Sequence, residues 1–490
     1  MATTLDPALQ DNIDNLQARH TKLVDAVRNY RNGSVASATN DVLAAKAHAD
    51  ATIDARESAL LGLIQTQTDQ PVPSLLLDFA NRVYMQGTRR LEHGYDAYDL
   101  LTVSRSSPKW VFGPSGRLVE VEPNKLAYEY DPVTGEPLGA LIEEARTNLL
   151  LWSEDFTQAD WSKRNSSIET GDASSPAGGA AQAVIDGANV AQLRQTKFNI
   201  ATGIYTFTLF FKKKDHDFGW IRIQDVDFNA LQLYFNLDTL EISYISPSGF
   251  TNTALTRLSD GWIKLTVNVE VGLGDEVRIY AGGTNSVAFN TWLSDGDGVS
   301  GTYIWGAQLE EGSSPSSYIP TQDAPVTRAA DTNYRDLGNE LNKSGFTQLV
   351  RFYMAPGEAM PGGGVFTIST ADSSFGNYAA KSGLRVTGGR NLSAEVYSDG
   401  GATVVSRNAD QMSVVDGINT AAIAVDAASG VVRFAINGQV AETTTDPFTM
   451  SELTRFWLDH SGAERPFKRY LYATLLTHAL SAAELEEITA

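Results

Sequence analysis

The chain has 490 residues, 38 Lys+Arg against 59 Asp+Glu for a formal charge of −21, and no cysteine. That length exceeds one ordinary hydrophobic core and suggests about three or four units. The acidic excess repels nucleic-acid phosphates and anionic membrane surfaces, and the missing thiols exclude disulfides, thiolate metal sites and cysteine nucleophiles.

The start, Met1-Ala2-Thr3-Thr4-Leu5-Asp6-Pro7, has neither the basic nor the apolar stretch of a secretion signal, and no run of about 18 apolar residues occurs. A soluble chain made in a cytoplasm is expected, with no membrane insertion and no nucleic-acid partner. The first seventy residues hold one proline, Pro7, and two glycines, Gly33 and Gly62, in an Ala-, Leu-, Asp- and Gln-rich background that favours long helices. Leu9, Ile13, Leu16, His20, Leu23, Val27 and Tyr30 then recur at spacings alternating between 4 and 3, the a/d seam of a coiled coil. Residues 1–70 are therefore expected to form a helical coiled-coil stem or anchor that self-associates. An intramolecular helical hairpin turning at Asn32-Gly33 is the alternative, and the seam does not fix the number of chains.

Pro71-Val72-Pro73 ends the helical region, and residues 71–148 read as a β-rich neck. Its strands are Ser74-Leu75-Leu76-Leu77-Asp78-Phe79, Lys109-Trp110-Val111-Phe112 and Leu118-Val119-Glu120-Val121, the last two separated by the turn Gly113-Pro114-Ser115-Gly116. Within 149–335 the alternation sharpens: Tyr205, Phe207, Leu209 and Phe211 share one face, as do Leu231, Leu233, Phe235 and Leu237, and Ile263, Leu265, Val267 and Val269. Strands apolar on one side predict an antiparallel β-sandwich. Residues 336–490 repeat the style, with strands near 346–354, 384–397, 421–425, 431–436 and 467–476, a hairpin turn at Asn437-Gly438, and a capping box Ser481-Ala482-Ala483-Glu484 that opens a final helix. The fold class expected is mainly β, a helical stem followed by jelly-roll sandwiches.

Several segments carry a resemblance. Tyr128 to Gly135 and Gly139-Ala140-Leu141-Ile142-Glu143-Glu144-Ala145-Arg146-Thr147-Asn148-Leu149-Leu150 resemble a linker found in phage and prophage fibre proteins. Trp152 to Phe156, Gly301 to Gly312, Ser317 to Thr321 and Thr327 to Asp331 together resemble the bracket around the carbohydrate-binding-module-like jelly roll of bacteriophage tail-fibre and head-spike proteins. Ala435 to Gln439, Arg469 to Tyr472 and Leu480 to Leu485 resemble a concanavalin A-like or laminin G-like lectin sandwich. The resemblance spans roughly residues 128–490 and implies a virion protein with a trimeric assembly, other virion proteins as partners of the N-terminal region, and a host-surface polysaccharide as ligand. Fold alone does not establish that function.

Strand parity around one expected hairpin supplies a candidate carbohydrate site. With Ile221, Ile223, Leu233 and Phe235 facing the core, Trp220, Arg222, Gln224, Gln232, Tyr234 and Asn236 share the opposite face. An aromatic ring stacks on a sugar's C–H face while guanidinium and amide groups bond its hydroxyls. A wet sheet surface, or a face packed on a neighbour, is the bland alternative. Trp262 has the parity to extend the platform, whereas Tyr303 and Trp305 read as core.

No catalytic residue, metal ligand or cofactor is expected. Glu143/Glu144 and Glu310/Glu311 are sequence neighbours, which point apart on a strand, and the six histidines form no metal-binding pair at helical spacing. Asp295-Gly296-Asp297-Gly298 lacks the spacing and closing glutamate of an EF-hand loop and reads as a solvated turn. The expected function is attachment of a phage fibre or spike to host glycans. The alternatives are an architectural collar or capsid-decoration fibre that binds no glycan, and a polysaccharide-modifying enzyme, disfavoured because the chain shows no β-helix period.

Overall fold

The computed structural model describes residues 73–86, 89–91, 100–187, 191–198, 200–224, 230–245, 250–271, 276–285, 287, 296–355, 363–370, 380–388, 390–405, 412–458 and 469–490. The heptad positions Leu9, Ile13, Leu16, His20, Leu23, Val27 and Tyr30, and the stem inferred from them, lie outside the described residues. Among those described, no helix is long and apolar enough to cross a membrane.

The first sandwich is a jelly-roll wrap of two antiparallel sheets. One sheet orders its strands Ser162–Arg164, Gln192–Phe198, Glu276–Thr284, Phe218–Gln224, Ala230–Asn236 and Ile242–Ile245. The other orders Ser166–Ser174, Ala180–Asp186, Gly301–Glu311, Gly203–Lys213, Trp262–Val271 and Phe250–Arg257. The chain crosses between them after Arg164, Asp186, Phe198, Lys213, Ile245, Val271 and Thr284, so neither sheet is a simple meander. The expected inward sets meet between the sheets: Tyr205, Phe207, Leu209 and Phe211 pack with Leu233, Phe235 and Leu237 and with Ile263, Leu265, Val267 and Val269.

The second sheet of this sandwich is buried on both faces. Phe210, Trp262, Tyr303, Trp305 and Tyr318 form a separate cluster on its outer side, capped by Phe112 and Leu118. Those two residues come from the hairpin Lys109–Phe112/Leu118–Val121, which docks through a Trp110–Tyr318 bridge and the 2.9 Å bond from Leu118 N to Pro176 O. Trp262 therefore does not extend the sugar platform. It lies in the other sheet, buried, with Nε1 donating to Ser174 O at 2.8 Å.

The second sandwich draws strands from both ends of the described chain. Its larger sheet runs Arg89–Leu91, Val83–Gln86, Leu75–Asp78, Arg469–Leu476, Gly345–Met354, Gly417–Asp426, Val431–Ile436 and Gln439–Thr444. Ala127–Tyr130 and Pro137–Leu141 join it beside Arg469 and Tyr470. Residues 71–148, expected as a neck, thus divide their strands: some complete this sheet and the 109–121 hairpin covers the first sandwich. The facing sheet runs Thr403–Val405, Asn391–Tyr397, Lys381–Gly388, Gly363–Ser369, Arg455–Trp457, Thr332–Asp336 and Thr102–Ser104. The stretch 384–397, expected as one strand, is a hairpin with Gly388 opposite Asn391 and Arg390 at φ 66°. Asn437 and Gly438, at φ 48° and 78°, turn the expected hairpin. Ser481 and Glu484 form the expected capping box of helix Ala482–Thr489, which buries Leu485 against Ala422, Ala424 and Ala435.

Of the segments that carry the fibre-protein resemblance, those around residues 143–150, 301–312, 317–321 and 327–331 converge on one structural clasp. The fully buried Asn148 donates to Ala307 O and Ile319 O, and its Oδ1 accepts from Leu150 N and Leu309 N, all within 2.9–3.1 Å. Glu310 accepts from Ser316 N and Ser316 Oγ, and Gln308 accepts from Ile319 N. Below them lies an ion network without solvent. Asp331 binds Arg105 at 2.8 Å and also Lys109, while Glu143 sits 3.2 Å from Lys109 and 3.7 Å from Arg328. Glu143, Glu144 and Glu310 thus help hold the joint from which residue 332 enters the second sandwich, while the Glu311 side chain is exposed.

Candidate functional site

Phe218–Gln224 pairs with Ala230–Asn236 in the register Trp220–Tyr234, Arg222–Gln232. The connecting residues, 225–229, lie outside the described set. Ile221, Ile223, Leu233 and Phe235 face the core, which sends Trp220, Arg222, Gln232 and Tyr234 to the outer face. Gln224 sits on the same face opposite Ala230, and Asn236 at the far end opposite Phe218, where its Oδ1 accepts from Asp238 N and Thr239 N and closes the turn.

The neighbouring strands add residues that the hairpin alone does not show. Arg222 is level with Tyr280, and Tyr280 with Arg194, so one ladder row reads Arg194, Tyr280, Arg222, Gln232 across four strands. The adjacent row carries Gly282, Trp220 and Tyr234. Gly282 has a physical role: a Cβ there would lie 3.0 Å from the indole, so glycine lets the ring lie against the strand while Nε1 donates to Gly283 O at 3.2 Å. Tyr280 was recoverable from sequence by the same parity rule, since Val277, Ile279 and Ala281 alternate with Arg278 and Tyr280, whereas the strand of Arg194 has Leu193 as its one core residue and Phe198 at the opposite parity. The place of both beside Arg222 was not, because Arg222 and Arg194 pair with Tyr280 across 58 and 86 residues of sequence, and such pairing has no local signal.

Burial divides this face into two parts. Trp220, Tyr234 and Tyr280 pack as a cluster and keep only 6, 5 and 5% of their surface. Arg194, Arg222 and Gln232 remain half-buried. The Arg194 guanidinium lies 5.9 Å from the Tyr280 ring centre, and the Tyr280 hydroxyl donates to Gln224 Oε1 at 3.2 Å. Burial lowers the Arg222 pKa against the pull of Tyr280 and Tyr234, yet an arginine so placed stays charged near neutrality. The face presents fork-shaped donors over an aromatic bed, rather than bare rings.

The remaining sequence candidates have structural occupations. Asp297 accepts from Val299 N, Ser300 N and Ser300 Oγ, so its carboxylate closes its own turn; its pKa is held down at about 2 by those bonds. Asp295 lies outside the described residues. Glu144 pairs with Arg146 at 2.8 Å.

No protein-family description and no curated protein matches the sequence. Among solved structures, the carbohydrate-binding module CBM40 of the Ruminococcus gnavus IT-sialidase bound to α2,6-sialyllactose is similar over 30% of this chain and 84% of that one, at 16% identity and TM-score 0.23. The leech intramolecular trans-sialidase is similar over 30% of this chain and 23% of its own, at 20% identity and TM-score 0.25. Mouse laminin α1 domains LG4-5 are similar over 60% and 89%, at 10% identity and TM-score 0.19. At such scores the sandwich architecture rests on the strand pairing itself.

Proposed function

We propose that this chain is a non-catalytic fibre or spike subunit of a bacteriophage virion, assembled as a homo-oligomer through residues 1–70, and that its first sandwich contacts host-surface glycan. The glycan contact would lie on the outer face of the hairpin sheet. The observation that carries it is the ladder row Arg194, Tyr280, Arg222, Gln232, which sets two guanidinium groups and an amide at strand spacing over an aromatic bed. On a chain of charge −21, two arginines on one face are a local reversal of sign that suits a glycan bearing carboxylates as well as hydroxyls. The fibre assignment rests on the sequence resemblance alone; in the fold, several of the resembling segments bond one another in the clasp.

One observation favours the architectural reading: the rings of Trp220, Tyr234 and Tyr280 are covered, as expected of a face built for packing. Binding of the intact oligomer to host cells and their extracted polysaccharide separates the two. Trp220→Ala is a poor probe, since emptying a buried aromatic site costs about 3–5 kcal/mol of stability. The half-exposed Arg194→Ala, Arg222→Ala pair is the better one. Saturable binding by wild type, weakened at least about tenfold in this variant and by added salt, is the expected outcome. Absence of wild-type binding would favour the collar or decoration role.

A further inference from the structure

The clasp borders an open cleft of about 840 Å³ at the end of the first sandwich, where Lys197 and Phe198 lie three and four residues along the strand from Arg194 of the ladder row. It is framed by five chain segments: the strand Arg146–Asn148 and its approach, the end of Gln192–Phe198, the start of Gly203–Lys213, the end of Gly301–Glu311, and Pro325 with Thr327 at the strand Val326–Arg328. A volume of this size holds an oligosaccharide or a drug-sized ligand.

Three features of the lining define what would fit. Phe198 is 64% exposed at the rim, an unusual placement for a phenylalanine and the form in which an aromatic stacks on a pyranose C–H face. Leu149, Ile200 and Ile204 make an aliphatic wall, with Ile204 itself 47% exposed. Lys197 and the exposed Glu311 set one donor and one acceptor of opposite charge beside that wall. The second cation, Arg146, is already neutralised by Glu144 at 2.8 Å and donates to the Glu311 carbonyl. It is held beneath Gly312, whose φ of 121° and missing Cβ make room for the guanidinium.

We propose that this cleft binds a sugar carrying an N-acyl group, such as an N-acetylated amino sugar. The ring would stack on Phe198, the acyl methyl would enter the aliphatic wall, and the amide N–H and C=O would meet the Glu311 carboxylate and the Lys197 ammonium. The balance of charge around the cleft sets it apart from the arginine row and favours a neutral ligand.

The test uses the intact 490-residue chain, with N,N′-diacetylchitobiose and cellobiose as probes in titration calorimetry and ligand-observed NMR. Wild type is expected to bind diacetylchitobiose saturably and at least about tenfold tighter than cellobiose. Phe198→Ala and Glu311→Gln, both at exposed side chains, are expected to keep the circular dichroism of the wild type and to weaken that binding by about tenfold or more. The Arg194→Ala, Arg222→Ala pair is expected to leave it unchanged, so this site and the sheet face succeed or fail separately. No saturable binding by wild type, equal affinity for cellobiose, binding untouched by Phe198→Ala, or binding abolished by the arginine pair would each overturn the proposal.

Discussion

Asp331 accepts from Arg105, from Lys109 and from the Glu143 amide in a place where none of these side chains reaches water. Burial pulls the Lys109 pKa down while Asp331 and Glu143 oppose it, so the ammonium depends on its two carboxylates. Asp331→Ala would strand two buried cations, and removal of one partner from a buried ion network costs about 3–5 kcal/mol. Urea denaturation should show that loss at neutral pH; a change below about 1 kcal/mol would mean that water enters and takes over the carboxylate's role. Asp399 makes a milder, pH-dependent contribution. Burial raises its carboxyl, but bonds from Glu452 N, Ser451 Oγ and Ser451 N outweigh it and hold the pKa at about 2, below the ordinary 3.8. A carboxyl depressed in the folded state stabilises above its unfolded pKa, and that support disappears as pH falls from about 4 toward 2. Asp399→Asn should therefore cost about 1 kcal/mol at pH 7, less as pH falls toward the folded pKa, and nothing only once pH is below about 2, read as the difference between the two unfolding curves across pH.

Strands whose inward residues alternate were legible in the sequence, and so was the parity that places Trp220, Arg222, Gln232 and Tyr234 on one face. Parity is a local property, set by the pleat alone. Burial of that face is not local: it depends on what packs over it, so the rings read as a bare platform are instead a covered bed. Trp262 shows the same limit, since its parity was right for an outer face but that face belongs to the other sheet and lies under the 109–121 hairpin. The hairpin within 384–397 was missed although Gly388-Gly389 marks it, because a run rich in Leu, Val and Ala on both sides hid the turn. The clasp residues stood out in sequence only by resemblance. Their reason is physical: Asn148 has all four hydrogen-bonding positions of its amide filled by backbone, which a residue of another shape cannot reproduce.

At the scale of the whole molecule, the second sandwich is discontinuous in sequence. Arg469–Leu476 lies inside its larger sheet, between Leu75–Asp78 on one side and Gly345–Met354 on the other. Leu75, Leu77, Phe79, Tyr84, Leu126, Tyr128 and Ile142, all from before residue 149, belong to the same core as Phe346, Phe352, Ile423 and Phe456. At about 1.5–3 kcal/mol for each buried side chain, removing seven such residues forfeits about 10–20 kcal/mol, as much as the whole stability of a typical domain. A fragment of residues 332–490 should therefore lack a cooperative unfolding transition and native near-UV circular dichroism, whereas 73–145 joined to it by a flexible linker should recover both. The first sandwich closes on itself through Arg146–Asn148 and Val326–Arg328, so a fragment of residues 105–330, which keeps the hairpin over Trp262 and Trp305, should fold unaided. Cooperative unfolding of 332–490 alone would mean that the early strands are an addition to a complete sandwich. Failure of 105–330 would mean that the ion network, which joins residues from 105 to 331, must be whole before the jelly roll is stable.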